Sequence, residues 1–172
     1  MKRMIMAILM ITIILKGGTS MGADTVRIFD PDSNSYVESP KVEKTPQQWK
    51  DQLTEIQYDV AREHGTERPF ANEYVNNHKH GIYKCACCGL VLFRSDDKFD
   101  SGTGWPSFVR PLDKANVAYT ADYSLSDLRT EVHCPRCGAH LGHVFDDGPA
   151  PTGKRFCMNS AALKFEETPD KK

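Results

Sequence analysis

Two Cys-x-x-Cys-Gly units, at residues 85–89 and 134–138, constrain the fold of this chain more than any other feature of its sequence. The tight turn in each unit lets both thiolates reach one metal ion from the same side, and the glycine that follows eases the turn. Two such turns supply the four ligands of a tetrahedral site. The pattern therefore predicts a structural zinc ion, one per chain. The four predicted ligands are Cys85, Cys88, Cys134 and Cys137.

Disulfides, or two redox-active Cys-x-x-Cys pairs, are the alternative for these cysteines. Because four protein ligands leave no open coordination position, the zinc ion is expected to stabilise the fold and to take no part in the chemistry. The stretch between the units is longer than in a usual zinc ribbon, so an insertion must fold between them. Cys87 either fills its turn as a small residue or is a spare thiol, and His140 is a further potential ligand that a four-cysteine site does not need.

The N-terminus differs in composition from the rest of the chain. Lys2 and Arg3 precede an apolar run that extends from Met4 to Leu15, and small residues follow it. About twelve apolar residues are too few to span a bilayer comfortably but suit the core of a signal peptide. Residues 1–23 are therefore expected to be a signal peptide or an uncleaved N-terminal anchor, with a buried core helix as the alternative. Export predicts a periplasmic or otherwise extracytoplasmic location, which is usually oxidising.

The rest of the chain divides into an arm, one domain and a tail. Residues 24–44 hold Pro, Ser, Asn and charges with little periodicity, which predicts a linker or a loosely docked arm. Residues 45–166 form the predicted domain, and residues 167–172 form a polar tail. A chain of 172 residues is long enough for one domain with a real core. Its formal net charge of -1 and its lack of basic runs argue against a nucleic-acid partner.

Two short helices are predicted at the start of the domain. Thr45 with Gln48, and then Thr54 with Gln57, have the spacing of capping boxes, and apolar residues recur at helical spacing between them. Gly65 is suited to ending the second helix.

Beyond the helices, the chain consists of short apolar runs between Gly, Asp, Asn and Pro. Such runs are too short and too often interrupted for helices, and they are typical of strands in small antiparallel sheets. The sequence therefore predicts a mainly β fold with short N-terminal helices. The apolar runs lie at residues 82–83, 90–93, 117–119, 132, 141–145 and 162–165.

Cys157 is the cysteine that stands apart from the two units. Alone, it is as consistent with an inert core residue as with a nucleophile. In the predicted strand around it, Arg155 and Asn159 share its face, and the positive charge of Arg155 favours the thiolate. The preceding stretch carries His140 and His143, whose imidazoles can orient a nucleophile or supply a proton, although such histidines are more often structural.

The segment Ser101–Phe108 holds two glycines and a proline, which make it a constrained loop. It displays Trp105 and Phe108. An aromatic wall of this kind suits a methyl group or a thioether, and the alternative is a tryptophan of the core.

Several of these segments, in this order along the chain, closely resemble the B-type methionine sulfoxide reductases, over residues 45–165. The resemblance implies a mainly β fold in which two small antiparallel sheets form a distorted barrel or sandwich. The matching segments are Thr66–Phe70, the two cysteine units, Lys98–Gly102, Gly104–Phe108, His140–Phe145, Asp147–Pro149 and Arg155–Ser160.

The resemblance also implies a reaction, in which the Cys157 thiolate attacks the sulfur of the R epimer of methionine sulfoxide and becomes a sulfenic acid. Trp105 and Phe108 are then the substrate wall, and Trp105 holds the methyl group. The residues implied to support the chemistry are His140, His143 and Asp147, which bind and help to protonate the oxygen, Arg155, which lowers the thiol pKa, and Asn159.

Thr103 departs from the family pattern, because many members carry a resolving cysteine there. We therefore expect a one-cysteine enzyme whose sulfenic acid is reduced by an external thiol, such as a thioredoxin-like donor. An internal disulfide to Cys87 is the alternative. The expected partners are oxidised proteins and that thiol reductant, and the chain is expected to be a monomer.

Two other functions compete with this interpretation. A zinc-ribbon binding module explains the four paired cysteines but leaves Cys157, Arg155 and the Trp105 loop without a role. An exported thiol oxidoreductase would use the Cys-x-x-Cys pairs themselves, which a tightly bound zinc ion would exclude.

Overall fold

The computed structural model describes residues 24–124 and 127–169. In these residues the chain forms two α-helices and eleven strands, with single 3-10 turns between some of them. The helices are α1 (Pro46–Gln52) and α2 (Glu55–Glu63). The strands are β1 (Thr25–Asp30), β2 (Ser35–Pro40), β3 (Gly81–Cys85), β4 (Val91–Arg94), β5 (Lys98–Phe99), β6 (Ser107–Phe108), β7 (Ala118–Asp122), β8 (Arg129–His133), β9 (His140–Phe145), β10 (Arg155–Met158) and β11 (Leu163–Glu167).

The strands form antiparallel sheets. One sheet has six strands in the order β5-β6-β10-β9-β8-β7, and a second has three in the order β11-β3-β4. A separate hairpin pairs β1 with β2. The predicted mainly β fold with short N-terminal helices is confirmed, and each apolar run predicted to be extended contributes to a strand.

The N-terminal hairpin differs from the linker or loosely docked arm expected for residues 24–44. Ile28 of β1 is buried in the core. The buried side chain of Asn116 accepts a hydrogen bond from the Phe29 amide (2.8 Å) and donates to the carbonyls of Phe29 (2.9 Å) and Val91 (2.8 Å). These contacts dock the hairpin on the domain. The hairpin was not predicted from the sequence because polar residues outnumber the few apolar residues that face inward.

Both predicted capping boxes are present. The Thr45 hydroxyl accepts from the Gln48 amide, while the Gln48 side chain accepts from the Thr45 amide. Thr54 and Gln57 repeat this arrangement at the start of α2. Each box satisfies two backbone donors that a helix start leaves unpaired, which is why two such short helices are stable side by side.

Helix α2 ends one residue earlier than the predicted glycine terminator. His64 itself adopts the left-handed conformation, with φ of 59°. The Gly65 amide then donates to the Asp59 carbonyl at 3.0 Å, which closes the last turn. Histidine therefore occupies a backbone position that glycine or asparagine more often takes.

An aromatic core lies between the two larger sheets. Tyr83 and Phe93 of the three-stranded sheet contact Phe108 of the six-stranded sheet, with ring centroids 5.0 and 4.4 Å apart. Phe156 packs beside them, 6.0 Å from Phe93. Burial of each such ring contributes roughly 1.5–3 kcal/mol. This core fixes the strand β10 that carries Cys157.

The ends of the chain are described only in part. Glu167, predicted to belong to the polar tail, is the last residue of β11, and the Thr168 amide donates to the His80 carbonyl at 3.1 Å. The predicted leader at residues 1–23 lies outside the described residues. In the part of the chain that is described, no helix is both long and apolar enough to cross a membrane.

Candidate active site and metal centre

The four paired cysteines converge on one point, as predicted. All four sulfur atoms lie within 4.8 Å of one another. The Cys85 and Cys137 sulfurs are 3.7 Å apart, and those of Cys88 and Cys134 are 3.5 Å apart. A zinc ion about 2.3 Å from each of four thiolates needs sulfur separations of roughly 3.8 Å. The cluster can therefore hold a metal ion, and its dimensions fit zinc.

The disulfide alternative does not occur in this structure. All six cysteines are free, and the sulfur separations far exceed a disulfide bond of about 2.05 Å. Cys87 is buried at the same cluster, where its hydrogen bond with the Cys137 thiol is the main cause that raises its pKa to about 12. Cys87 therefore faces the four-cysteine centre.

Both helices bind directly to the two cysteine turns. The Gln52 side chain at the end of α1 donates to the Cys87 carbonyl at 2.7 Å. The Arg62 guanidinium in α2 donates to the Cys137 carbonyl at 2.9 Å. The helices thus satisfy turn carbonyls that would otherwise be unpaired, and they hold the two turns in register.

Cys157 lies near the centre of the six-stranded sheet, in β10. Its neighbours in the register are Ser107 of β6 and His143 of β9. Gly142 permits the close approach of β9, since a Cβ atom there would lie 2.1 Å from the Cys157 carbonyl oxygen. The backbone thus brings an imidazole and a hydroxyl to opposite sides of the thiol.

Opposing influences set the acidity of the Cys157 thiol. Burial is the largest and raises its pKa, while the charge of Arg155 and hydrogen bonds from Thr103, Arg155 and Ser107 lower it. The Thr103 hydroxyl oxygen is 4.0 Å from the sulfur. The net result is a raised pKa, so Arg155 moderates the cost of burial and does not overcome it. The resemblance predicted the direction of the Arg155 effect but not this balance.

Asp147 holds Arg155 in place and does not line the cavity beside the thiol. Its carboxylate accepts two hydrogen bonds from the guanidinium, at 2.9 and 2.8 Å. Paired charges of this geometry are rigid. The Arg155 guanidinium also lies over the Phe145 ring, 4.4 Å from its centroid. The same hydrogen bonds lower the pKa of Asp147 and raise that of Arg155.

A small cavity of about 130 Å³ opens at the Cys157 thiol. Trp105 forms part of its wall, and the indole N–H donates to the Glu67 carbonyl at 3.2 Å. The ring is therefore fixed at one end and presents its apolar surface to the cavity. The residues that line the cavity are Thr66, Trp105, Arg129, Gly142, His143, Phe145, Cys157, Met158 and Asn159.

Phe108 is not part of this cavity, contrary to the prediction. It is fully buried and stacks on Phe93 in the core. In the sheet register Ser107 is opposite Cys157 and Phe108 is opposite Phe156. Because successive residues of a strand point to opposite faces, Ser107 takes the face of the thiol and Phe108 takes the other. Phe145 is the second aromatic residue of the cavity.

Two carboxylates behind the predicted histidines were not identified from the sequence. His143 Nε2 and Asp122 Oδ2 are 2.7 Å apart, and Asp122 also accepts from Arg129 at 2.7 Å. His140 Nδ1 and Glu131 Oε1 are 2.6 Å apart. Hydrogen bonds from Ser124, and then from His143, hold the pKa of Asp122 well below its usual range.

The two histidines occupy different environments. His143 lines the cavity, whereas His140 is buried behind it, with ring centroids 5.5 Å apart. Burial lowers the pKa of His140, and its hydrogen bond with Glu131 opposes this.

Glu67 is a further residue that the sequence did not single out, although it belongs to the matching segment Thr66–Phe70. Its buried carboxylate accepts from the amides of Ser160 and Ala161, just after β10, the latter at 2.8 Å. Its own amide donates to the Asn159 side chain at 3.3 Å. Burial raises the pKa of Glu67, and these amide hydrogen bonds counteract it. One residue therefore supports Asn159 and, through its carbonyl, Trp105.

The fold and the cavity at Cys157 define a thiol enzyme, in which the four-cysteine centre is separate from the reactive thiol. The SelR domain family matches residues 53–167. A peptide methionine sulfoxide reductase MsrB from Hahella chejuensis is 55% identical over 125 residues, which are 73% of this chain and 90% of that protein. The protein of the same name from Bradyrhizobium diazoefficiens is 54% identical over 136 residues, 79% of this chain and 98% of its own length. The archaeal relative from Methanosarcina barkeri is 54% identical over 125 residues, 73% of this chain and 88% of that protein. This chain belongs to the SelR domain family, that of the MsrB peptide methionine sulfoxide reductases.

Proposed function

We propose that this peptide methionine sulfoxide reductase uses the Cys157 thiolate to reduce the R epimer of methionine sulfoxide in oxidised proteins. One observation supports this most directly: Cys157 shares a small cavity with the anchored ring of Trp105 and the imidazole of His143. A sulfoxide has the three features that these groups recognise, namely an electrophilic sulfur, a methyl group and a basic oxygen.

The reaction transfers two electrons from one sulfur to the other. The Cys157 thiolate attacks the sulfoxide sulfur, the S–O bond of the substrate breaks, and methionine leaves with its sulfur reduced. The oxygen takes up a proton and passes to the Cys157 sulfur as the S–S bond formed in the attack breaks, which leaves Cys157 as a sulfenic acid. Two equivalents of an external thiol then restore the Cys157 thiol and yield one disulfide and one water.

Trp105 orients the substrate. Its indole N–H is occupied by the Glu67 carbonyl at 3.2 Å, so the face of the ring is left for an apolar group. The methyl group of the substrate packs against this face. Such packing directs the sulfoxide oxygen away from the ring and towards the imidazole side of the cavity.

His143 supplies the proton. It lines the cavity and lies opposite Cys157 in the sheet register. The Asp122 carboxylate, 2.7 Å from its Nε2, orients the ring, as a carboxylate does in other histidine-dependent enzymes. His140, buried behind His143, supports this ring without reaching the cavity itself.

Arg155 favours the thiolate form of Cys157, and Asp147 holds Arg155 in position with two hydrogen bonds. Asn159 lines the cavity, and its amide group donates to the Leu141 carbonyl at 3.3 Å. Asn159 therefore orients the chain that follows Cys157.

Recycling of the enzyme uses an external thiol, for which a thioredoxin-like protein is the proposed donor. In the Trp105 loop, the Thr103 hydroxyl oxygen lies 4.0 Å from the Cys157 sulfur. A hydroxyl cannot form a disulfide, so Thr103 cannot resolve a sulfenic acid. Cys87 faces the metal centre.

The four-cysteine cluster is proposed to hold one structural zinc ion. Its residues would bind the ion through Cys85, Cys88, Cys134 and Cys137, and zinc would supply fold stability only, because the four thiolates close the coordination sphere. Loss of the ion would leave the four thiols to compete for a few hydrogen bonds.

We also propose that the enzyme is exported by the leader at residues 1–23 and acts as a monomer outside the cytoplasm. The Lys2–Leu15 pattern supports export.

Separated R and S epimers of a methionine sulfoxide peptide, each reduced with dithiothreitol, test the proposed function. The expected result is turnover of the R epimer with little or none of the S epimer. Equal rates for the two epimers would contradict the proposal. A Cys157→Ser protein measured in parallel corrects for direct reduction by dithiothreitol.

A further inference from the structure

A second group of side chains that could hold a metal ion contains none of the four cysteines. His64, Glu131 and His140 each offer one donor atom, and the three atoms lie within 4.8 Å of one another. They come from three separate elements, namely the end of α2, strand β8 and strand β9. The fold brings His64 next to Glu131 and His140, which lie nine residues apart on neighbouring strands.

The donor atoms of this group have the arrangement of a chelate. The Nδ1 atoms of His64 and His140 both face the same oxygen of Glu131, at 3.2 and 2.6 Å. For a metal ion about 2.1 Å from each donor in tetrahedral geometry, neighbouring donors are roughly 3.4 Å apart. The Glu131–His140 contact, at 2.6 Å, would have to open by about 0.8 Å to admit the ion. Two imidazoles and one carboxylate are a donor set that suits zinc-like transition ions.

His64 gives this group access to solvent. Its side chain is 65% exposed, whereas those of Glu131 and His140 are 13% and 3% exposed. The left-handed backbone of His64 turns the chain at the end of α2, where glycine or asparagine is more usual. An ion from solvent can therefore reach His64 first, and a fourth coordination position remains on the exposed side.

We propose that His64, Glu131 and His140 form a second metal site, which reversibly binds a divalent transition ion of the zinc class and leaves one coordination position to solvent. The site is distinct from the four-cysteine cluster in its donors, since it contains no sulfur. It is an open site with three protein ligands, so the ion exchanges with solvent instead of being locked into the fold.

Titration with Co²⁺ tests the site in the full-length protein that carries its structural metal. Zinc content is measured before and after, so that exchange at the cysteines is detected. The expected result is one bound Co²⁺ per chain, with visible ligand-field bands and without the near-ultraviolet charge-transfer band of a cobalt thiolate. His64→Asn is expected to weaken binding by about tenfold or more, because asparagine tolerates the left-handed backbone but lacks the imidazole.

His78→Asn is the matched control, because His78 is an exposed histidine of the loop that precedes β3. It is expected to bind Co²⁺ as the unaltered protein does. Three results would overturn the proposal: no bound Co²⁺, equal affinity in His64→Asn, or a thiolate charge-transfer band.

Discussion

The four-cysteine centre and the Cys157 cavity use the same side chain in opposite surroundings. At the first, the sulfurs face one another, with Cys88 and Cys134 3.5 Å apart, and both helices reinforce the turns that carry them. At the second, a single partly buried sulfur faces a hydroxyl, a guanidinium and an imidazole. Cysteine clustered with cysteine suits a permanent metal ligand, whereas cysteine among other polar groups suits a transient nucleophile.

The two sites are also expected to have separate roles, one in the stability of the fold and the other in the reaction. A change at the four-cysteine centre should act on the whole fold, because it releases two turns and the helices bound to them. A change at the cavity should act on turnover and leave the fold intact. Four substitutions test this separation, and they are ordered by the size of the expected effect.

Cys157→Ser removes the nucleophile and is expected to lower turnover by about 10³-fold or more, because a serine hydroxyl cannot take up the oxygen. Steady-state assays with the R-epimer peptide measure the loss. Metal content and melting temperature should stay close to those of the unaltered protein. Appreciable remaining activity would mean that the chemistry does not depend on Cys157.

Cys134→Ser removes one predicted metal ligand and is expected to lower the melting temperature by about 10 °C or more, with loss of bound zinc. Calorimetry and metal analysis measure the two effects. Cys87→Ser is the matched control, since Cys87 is buried in the same cluster but lies outside the four ligands. If Cys134→Ser kept its zinc and its melting temperature, the four-cysteine centre would not contribute to the stability of the fold.

Arg155→Gln removes the positive charge that opposes the effect of burial on Cys157. The thiol pKa should then rise further, so the rising limb of the pH–rate profile moves to higher pH. Activity at neutral pH should fall by about tenfold, which corresponds to roughly one pKa unit. Lys154→Gln, a change at the exposed neighbour, should leave the profile in place. An unshifted profile in Arg155→Gln would show that this charge does not set the thiol pKa.

Thr103→Cys should change the first reduction step least, by less than about threefold, because it leaves the groups around Cys157 in place. It should nevertheless change the oxidised product. Mass spectrometry after one turnover is expected to find an added oxygen in the unaltered protein and the loss of two hydrogens in the variant, through a disulfide between Cys157 and the introduced thiol. Thr120→Cys, at an exposed position of β7, should still add an oxygen. A sulfenic acid that persists in Thr103→Cys would place residue 103 out of reach.

Structural features that depend on residues close together in the sequence could be predicted. The capping boxes at Thr45 and Thr54, and the two cysteine turns, each depend on residues within a few positions of one another. The shared face of Arg155 and Cys157, two residues apart in one strand, follows from strand geometry in the same way. Local physics therefore fixed the helix starts, the metal centre and the side of the strand that carries the nucleophile.

Features that depend on distant pairing were not predictable. Glu67 meets Ser160 across 93 residues, and Asp122 meets His143 across 21. The residues around a single Asp or Glu do not indicate whether its carboxylate is buried against a distant partner or solvated. Phe108 was assigned to the substrate wall because the glycines and Pro106 of this segment predicted a loop. The structure has a two-residue strand there, and its pairing with β10 determines which side chain points to the thiol.

The chain path between Cys88 and Cys134 carries a consequence for the cavity. An ion held by these residues ties the path into a ring that contains Thr103 and Trp105, while Cys157 follows it. Closing a ring restricts the unfolded chain and raises the effective concentration of one part of the chain near another. Strand β6 meets β10 over only two residue pairs. An ion bound there would act as an intramolecular tether and would keep the tryptophan half of the cavity within reach of the sulfur half if that short pairing opened.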